Sequence, residues 1–225
     1  MFSQNSANHE NVEFLMIRVM IVDDHAIVRQ GLRQVIESAN DLGVCKEASS
    51  GREAISIASA GECDVVLPDI SMPDAHGIDV LKHIKQARPQ VAVIMLSMHP
   101  EDQYGLRALR AGASGYLTKD CEATELIEAI HKAHDGRKYI SSSIAQLIAE
   151  DIGGQKGDLP NKILSDREYQ ILCMIAAGKR IKDIAGNLGL SPKTVSTYRN
   201  RLLHKLNLQT NEQLTSYARN HRLLD

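Results

Sequence analysis

No apolar run in this chain of 225 residues extends beyond a few positions. A bilayer-spanning helix needs roughly 20, so no membrane partner is expected. Cysteine is scarce and scattered. Cys45, Cys63, Cys121 and Cys173 contain no CxxC pair, which argues against a zinc site and against a disulfide framework. A reducing cytoplasm is the compartment that fits. Residues 1–15 (MFSQNSANHENVEFL) lack the basic start of a signal peptide. They read as a mobile tail, with Met16 available as a natural start.

Hydrophobic residues make up 43% of the chain and charged residues 24%, which suits a globular protein with a buried core. The net charge of −2 conceals an asymmetry. Residues 161–225 carry 11 Lys and Arg against 5 Asp and Glu, a balance of +6, and the rest carry 15 against 23, or −8. An acidic front and a basic back predict two domains, the second with a polyanionic partner.

From residue 17 to 135, short apolar runs alternate with helical spacing. Strands are expected at Ile17–Val22, Val44–Ala48, Val65–Asp69, Val91–Ser97 and Gly115–Thr118. Helices are expected at Ala26–Ser38, Arg52–Ala60, Ile78–Ala87, Tyr104–Ala111 and Thr124–His134. Five such units predict an α/β doubly wound fold, a five-stranded parallel sheet with helices on both faces. Ligands of such sheets bind beyond the carboxyl ends of the strands. There the sequence delivers Asp23, Asp24, Asp69, Ser97, Thr118 and Lys119. Alone, each has an ordinary reading: a helix cap, a strand end, a solvated lysine. Together, crowded carboxylates call for a cation, and Mg²⁺ suits an all-oxygen set. A carboxylate beside it can act as a nucleophile toward a phosphoryl group.

The segments VMIVDDHAIVRQGL, DVVLPDISMPDAHGIDVL, VIMLSMH and ALRAGASGYLTKD resemble the receiver domain of bacterial two-component response regulators. The resemblance runs from Ile17 to about Gly136 and implies a sheet of strand order 2-1-3-4-5. It implies Asp69 as phosphoacceptor and Asp23, Asp24, Asp69 and the carbonyl of Ser71 as Mg²⁺ ligands. It also implies Ser97 and Lys119 as the groups that hold the phosphoryl oxygens, with Tyr116 as a switch aromatic that moves inward. Pro68 departs from the family, which usually has a bulky apolar residue there. A proline lacks the N–H of a ladder bond, worth roughly 1 kcal/mol.

Behind this half, Ser141–Asp151 has room for a short helix, and GGQKGDLP (153–160) reads as linker. Helices are expected at Asp166–Ala177, Ile181–Leu188, Pro192–Leu206 and Asn211–Asn220. Gly189 is placed to end the second, Ser191 to cap the third, and Pro192 to open it. This is the pattern of a helix-turn-helix. On the third helix Val195, Leu202 and Leu206 share one face. Lys193, Thr197, Asn200, Arg201 and His204 form the other, which is basic, free of acids and suited to a DNA major groove.

The stretch LSDREYQILCMIAAGKRIKDIAGNLGLSPKTVSTYRNRLLHKLN is similar to the LuxR-type helix-turn-helix domain. The whole chain thus resembles a NarL/FixJ-type response regulator: a tail at 1–15, a receiver at 16–137, a linker at 138–160 and a small all-α helix-turn-helix domain at 161–225. By that resemblance Ser196, Thr197 and Asn200 meet base edges, with Asn200 suited to adenine. Lys182, Lys193, Thr194, Tyr198, Arg199 and Arg201 are candidate phosphate contacts, and the last helix is a dimer contact on DNA.

The function implied is a phosphorylation-controlled DNA-binding regulator of transcription rather than an enzyme. Its implied partners are double-stranded DNA, a sensor histidine kinase or small phosphodonor, and a second copy of itself. Two alternatives remain. One is a DNA-binding regulator whose receiver is passive or controlled by another protein. The other is a phosphohydrolase, disfavoured because Ser71 stands where many aspartyl-phosphate hydrolases have an acid.

Overall fold

The computed structural model describes residues 16–152, 164–221 and 223. The first half alternates β1 (Ile17–Val22), α1 (Ala26–Glu37), β2 (Leu42–Ala48), α2 (Gly51–Ala60), β3 (Val65–Pro68), α3 (Gly77–Ala87), β4 (Ala92–Ser97), α4 (Glu101–Arg110), β5 (Gly115–Thr118) and α5 (Ala123–His134). The sheet is parallel, in the order β2-β1-β3-β4-β5. Alternate strand residues point to opposite faces. Val19, Ile21, Val65 and Leu67 pack under Ile36 of α1 and Leu126 and Ile130 of α5, while Met20, Val22 and Val66 pack under α2 and α3. Both faces are covered, as the unbroken apolar runs of β3 and β4 require.

Two starts come two or more residues earlier than the sequence pattern predicts. Strand β2 begins at Leu42 because Leu42 and Gly43 pair with Ile17 and Arg18. Helix α4 begins at Glu101, with Pro100 at its N-cap and Glu101 and Asp102 in its first turn. Acids there favour the positive end of the helix dipole, although their polarity hides them from an apolar pattern.

Helix α6 (Ser142–Ile152) lies within the stretch read as linker. It is packed on the receiver. Ile144 is fully buried, the Ser141 hydroxyl donates to Glu101 at 2.6 Å, and Arg110 pairs with Asp151. Residues 153–160 of that stretch lie outside the described residues, as does the tail at 1–15.

The second half comprises α7 (Asp166–Ala176), α8 (Ile181–Asn187), α9 (Pro192–Lys205) and α10 (Asn211–Asn220). A capping box of Ser165 and Glu168 opens α7, and a second, of Thr210 and Gln213, opens α10. Each satisfies otherwise unpaired helix N–H groups in both directions. Buried Tyr169, Leu172, Ile184, Val195, Leu202 and Leu214 form the core of the bundle.

The two halves are packed together. Arg107 of α4 is almost fully buried. It donates to Asp166 Oδ1 at 2.6 Å and to the Leu164 carbonyl at 2.6 Å, and its guanidinium lies 4.4 Å above the Tyr169 ring. Lys82 Nζ holds the other Asp166 oxygen at 2.5 Å. Tyr104 meets Tyr169 edge to face at 5.2 Å. At Gly189 an added Cβ would stand 2.8 Å from the Pro73 carbonyl. That glycine also has φ +60°, so its turn demands the missing side chain twice.

Candidate phosphorylation site and nucleic-acid interface

Three strands and their following loops deliver the charged groups. Asp23 follows β1, Asp69 follows β3 and Lys119 follows β5. Asp23 and Asp69 are both buried. Lys119 Nζ bridges them, 2.6 Å from Asp23 Oδ2 and 3.1 Å from Asp69 Oδ2. Burial raises the Asp69 carboxyl above its ordinary range. Lys119 and the Ser71 N–H pull against this, and the charge of Asp23 adds to it. Burial works against the Lys119 ammonium, yet its two carboxylate partners outweigh that and hold it above the usual lysine range.

One ammonium thus serves two buried carboxylates, with Asp24 next to Asp23. Such an excess of hard oxygen donors fits a divalent cation such as Mg²⁺. His25, which no periodicity in the sequence marks, belongs to the same corner. Its Nδ1 lies 3.2 Å from an oxygen of both Asp23 and Asp24, and its backbone N–H donates to Asp23 at 2.8 Å. Among the described residues, Asp23, Asp24 and His25 form the one cluster of His, Cys, Asp and Glu close enough to share a metal ion.

Ser97 is fully buried, and its hydroxyl accepts from the His99 N–H at 3.0 Å. Tyr116 is also fully buried, and its hydroxyl donates to the His99 carbonyl at 2.7 Å. It therefore already points inward while Ser97 is turned toward His99. The His99 ring contacts Ser71 Oγ at 3.2 Å and lies 5.2 Å from Tyr104. Strand periodicity could not single out His99, which lies in the loop after β4.

The proline beside Asp69 leaves a readable mark. Toward β1 the ladder continues, with Pro68 opposite Val22 and the Asp69 N–H on the Val22 carbonyl at 2.8 Å. Toward β4 it runs Val65↔Ala92 and Val66↔Val93, breaks, and resumes in the same register at Asp69↔Leu96. The missing donor faces β4, by register at the Ile94 carbonyl. Asp69 is thus fixed by ladder bonds on either side of the gap. Pro68→Met is expected to leave the fold intact and to change the rate of Asp69 phosphorylation, measured with a small phosphodonor. Equal rates would make the proline neutral.

In the second half, Ser191 caps α9 by accepting from the Thr194 N–H at 3.0 Å, and Pro192 occupies its first turn. Val195 and Leu202 are buried, whereas Lys193, Thr197, Asn200, Arg201 and His204 are exposed. Thr197, Asn200, Arg201, His204 and Lys205 line one open groove. The Ser196 and Thr197 hydroxyls donate back to the Pro192 and Lys193 carbonyls at 2.9 and 3.0 Å. Arg199 reaches Asn211 at 2.6 Å and Asn200 at 3.3 Å. Lys182 is exposed on α8. Tyr198 faces elsewhere: with Lys82, Arg107 and Arg110 of the receiver it lines a groove between the halves.

Fold and site together define a receiver joined to a helix-turn-helix DNA-binding domain. Residues 19–131 match the response regulator receiver domain family, and residues 162–218 match the bacterial regulatory proteins of the luxR family. The chain belongs to the NarL/FixJ-type response regulators of two-component systems, which are phosphorylation-controlled regulators of transcription. It is 40% identical to the response regulator UvrY of Escherichia coli over 92% of this chain and 96% of that one. It is 36% identical to GacA of Pseudomonas aeruginosa over 93% and 99%. Among solved structures, RcsB of Salmonella enterica serovar Typhimurium, bound to the promoter rprA in the presence of phosphomimetic BeF3⁻, superposes with a TM-score of 0.62. It is 27% identical over 90% of this chain and 98% of that one.

Proposed function

We propose that Asp69 is the phosphoacceptor of this regulator and that the packed arrangement is its unphosphorylated state. The observation that carries the reading is Lys119, shared between buried Asp23 and Asp69 at the edge of the sheet. Mg²⁺, held by Asp23, Asp24, Asp69 and the Ser71 carbonyl, would supply charge neutralisation for an incoming phosphoryl group. An Asp69 oxygen attacks phosphorus, the bond from phosphorus to the donor breaks, and the leaving group departs with the electron pair. The donor is a sensor histidine kinase or a small phosphodonor.

Lys119 then follows the new oxygens while remaining next to Asp23, and the Ser97 hydroxyl turns from the His99 N–H to the phosphoryl group. His99 is the connection outward, because it also holds Tyr116 and Ser71 and lies against Tyr104, whose ring abuts Tyr169 of α7. A shift of His99 therefore reaches the domain interface. In the packed form Tyr198 looks into a groove walled by the receiver, so a DNA phosphate approaching it meets α3 and α4.

Freed, α9 enters the major groove. Ser196, Thr197 and Asn200 face bases, while Lys182, Lys193, Thr194, Tyr198, Arg199 and Arg201 meet phosphates. Helix α10 carries the contact to a second copy, so that a homodimer reads half-sites about one helical turn apart. The reading places the protein in the cytoplasm. It assigns a single transfer to Asp69 rather than turnover, since Ser71 stands where a hydrolase has its acid.

Binding selection with and without phosphodonor and Mg²⁺ tests this. Phosphodonor is expected to tighten binding to the selected duplex, and indifference would favour a receiver controlled by another protein. Arg199→Ala is expected to weaken all duplexes and to reduce the salt slope by about one. Asn200→Ala is expected to change preference among sequences, losing about 1–3 kcal/mol of discrimination at one base. Titrations at several salt concentrations separate the two.

A further inference from the structure

Away from the phosphorylation site, two thiols are in direct contact. Cys45 Sγ lies 3.1 Å from Cys63 Sγ, although the residues are 18 positions apart and on opposite sides of α2 in the chain. The backbone makes the meeting possible. In the β1–β2 ladder Val19 pairs with Val44 and Met20 with Lys46, so the register steps at Cys45. Cys45 is the extra residue of a bulge, and bulges re-aim side chains and loosen the local ladder. Its sulfur leans over β1, 3.4 Å from the Val19 carbonyl. Cys63, just ahead of β3, is buried, and Cys45 is only partly buried.

The two thiols are unequal. The hydrogen bond between the two sulfurs brings the Cys45 thiol below its ordinary range, against burial and the charge of Asp64 and with help from Arg18. The same bond, together with burial, pushes Cys63 upward. Cys121, by contrast, is pushed up to about 11 by burial. Metal binding does not suit the pair: among the described residues no third His, Cys, Asp or Glu gathers with them, and two ligands do not make a structural site.

We propose that Cys45 and Cys63 form a reversible oxidation site that takes a hydroperoxide as its substrate. The Cys45 thiolate attacks one peroxide oxygen, the O–O bond breaks, and the departing oxide takes a proton to leave as water or an alcohol. Cys45 is then a sulfenic acid. The Cys63 sulfur attacks it, the S–O bond breaks, and hydroxide leaves with the Cys63 proton as water. Two electrons pass from the thiols to the peroxide, and a small dithiol reverses the reaction by exchange. Disulfide closure shortens the sulfur–sulfur distance to about 2.05 Å, a movement of about 1 Å from 3.1 Å, for which the bulge supplies the slack. The bridge lies at the amino end of β3, away from Asp69 at the carboxyl end, so phosphorylation remains available to the oxidised protein.

The test uses the full reduced chain and stoichiometric hydrogen peroxide, followed by denaturation, alkylation, trypsin and mass spectrometry without reduction. The expected product joins the peptide of residues 34–46 to that of residues 53–82, lighter by two hydrogens than their sum, and dithiothreitol abolishes it. In Cys63→Ser the bridge is lost and Cys45 is captured as a sulfenic acid by dimedone. In Cys45→Ser, Cys63 stays alkylatable. Three outcomes would overturn the proposal: both thiols alkylated in wild type, Cys45 driven to sulfinic acid with Cys63 untouched, or a bridge to Cys121 or Cys173 in preference.

Discussion

Asp69→Asn is expected to abolish Mg²⁺-dependent phosphorylation, leaving no label after exposure to a small phosphodonor under conditions that load the wild type fully. The change is nearly isosteric, and the ladder bonds on either side of Pro68 that place this residue involve only its backbone. What it removes is the nucleophilic oxygen and one of the two charges shared by Lys119. Because burial and Asp23 both disfavour charge at this position, the neutral amide should fold at least as stably as the aspartate. A thermal melt run alongside separates loss of chemistry from loss of structure. Equal labelling of the two proteins would place the phosphoacceptor elsewhere.

Arg107→Ala is expected to loosen the domain interface and raise DNA affinity in the absence of phosphodonor. Arg107 holds Asp166, the Leu164 carbonyl and the face of Tyr169 at once. Removing one member of a buried pair costs about 3–5 kcal/mol, because the other charge is left without its partner. Here Lys82 still reaches Asp166 from a half-exposed position, so the lower end, about 3 kcal/mol, is appropriate. That is on the order of 10²-fold in the ratio of packed to free domains, and DNA affinity rises by up to the same factor as the competent fraction grows. Anisotropy titrations of wild type and variant on one duplex read it directly. An unchanged affinity would mean that packing does not restrain DNA binding.

The contrast between Asp69 and Arg107 shows what was legible in the chain. The central strands β1, β3 and β4 could be read because each is a largely apolar run buried on both faces, and Asp23 and Asp69 because each ends such a run. The turn between α8 and α9 could be read because Gly189, Ser191 and Pro192 each do local work. Arg107 could not be read in this way. On α4 it looks like any solvated arginine, and its burial is decided by Asp166, 59 positions later. His99 and His25 act through backbone groups and neighbours that no periodicity marks. Cys45 and Cys63 looked scattered because nothing local announces the bulge that brings them together. Helix α6 is half legible: its pattern suggests a helix, but its place on the receiver comes from contacts distant in sequence, Ile144 beside Gly105, Ser141 on Glu101 and Asp151 on Arg110.

On the proposed function, phosphorylation of Asp69 separates the two domains. Lys82 Nζ and Asp166 Oδ2, 2.5 Å apart, offer a direct report, since a zero-length carbodiimide cross-linker joins an amine and a carboxylate only in contact. The measurement is the yield of the Lys82–Asp166 cross-linked peptide, by mass spectrometry, with and without beryllofluoride and Mg²⁺, in wild type and Asp69→Asn. A high yield is expected in both resting proteins, with a fall on adding the phosphomimetic in wild type alone. An undiminished yield in wild type with the phosphomimetic stably bound would contradict it.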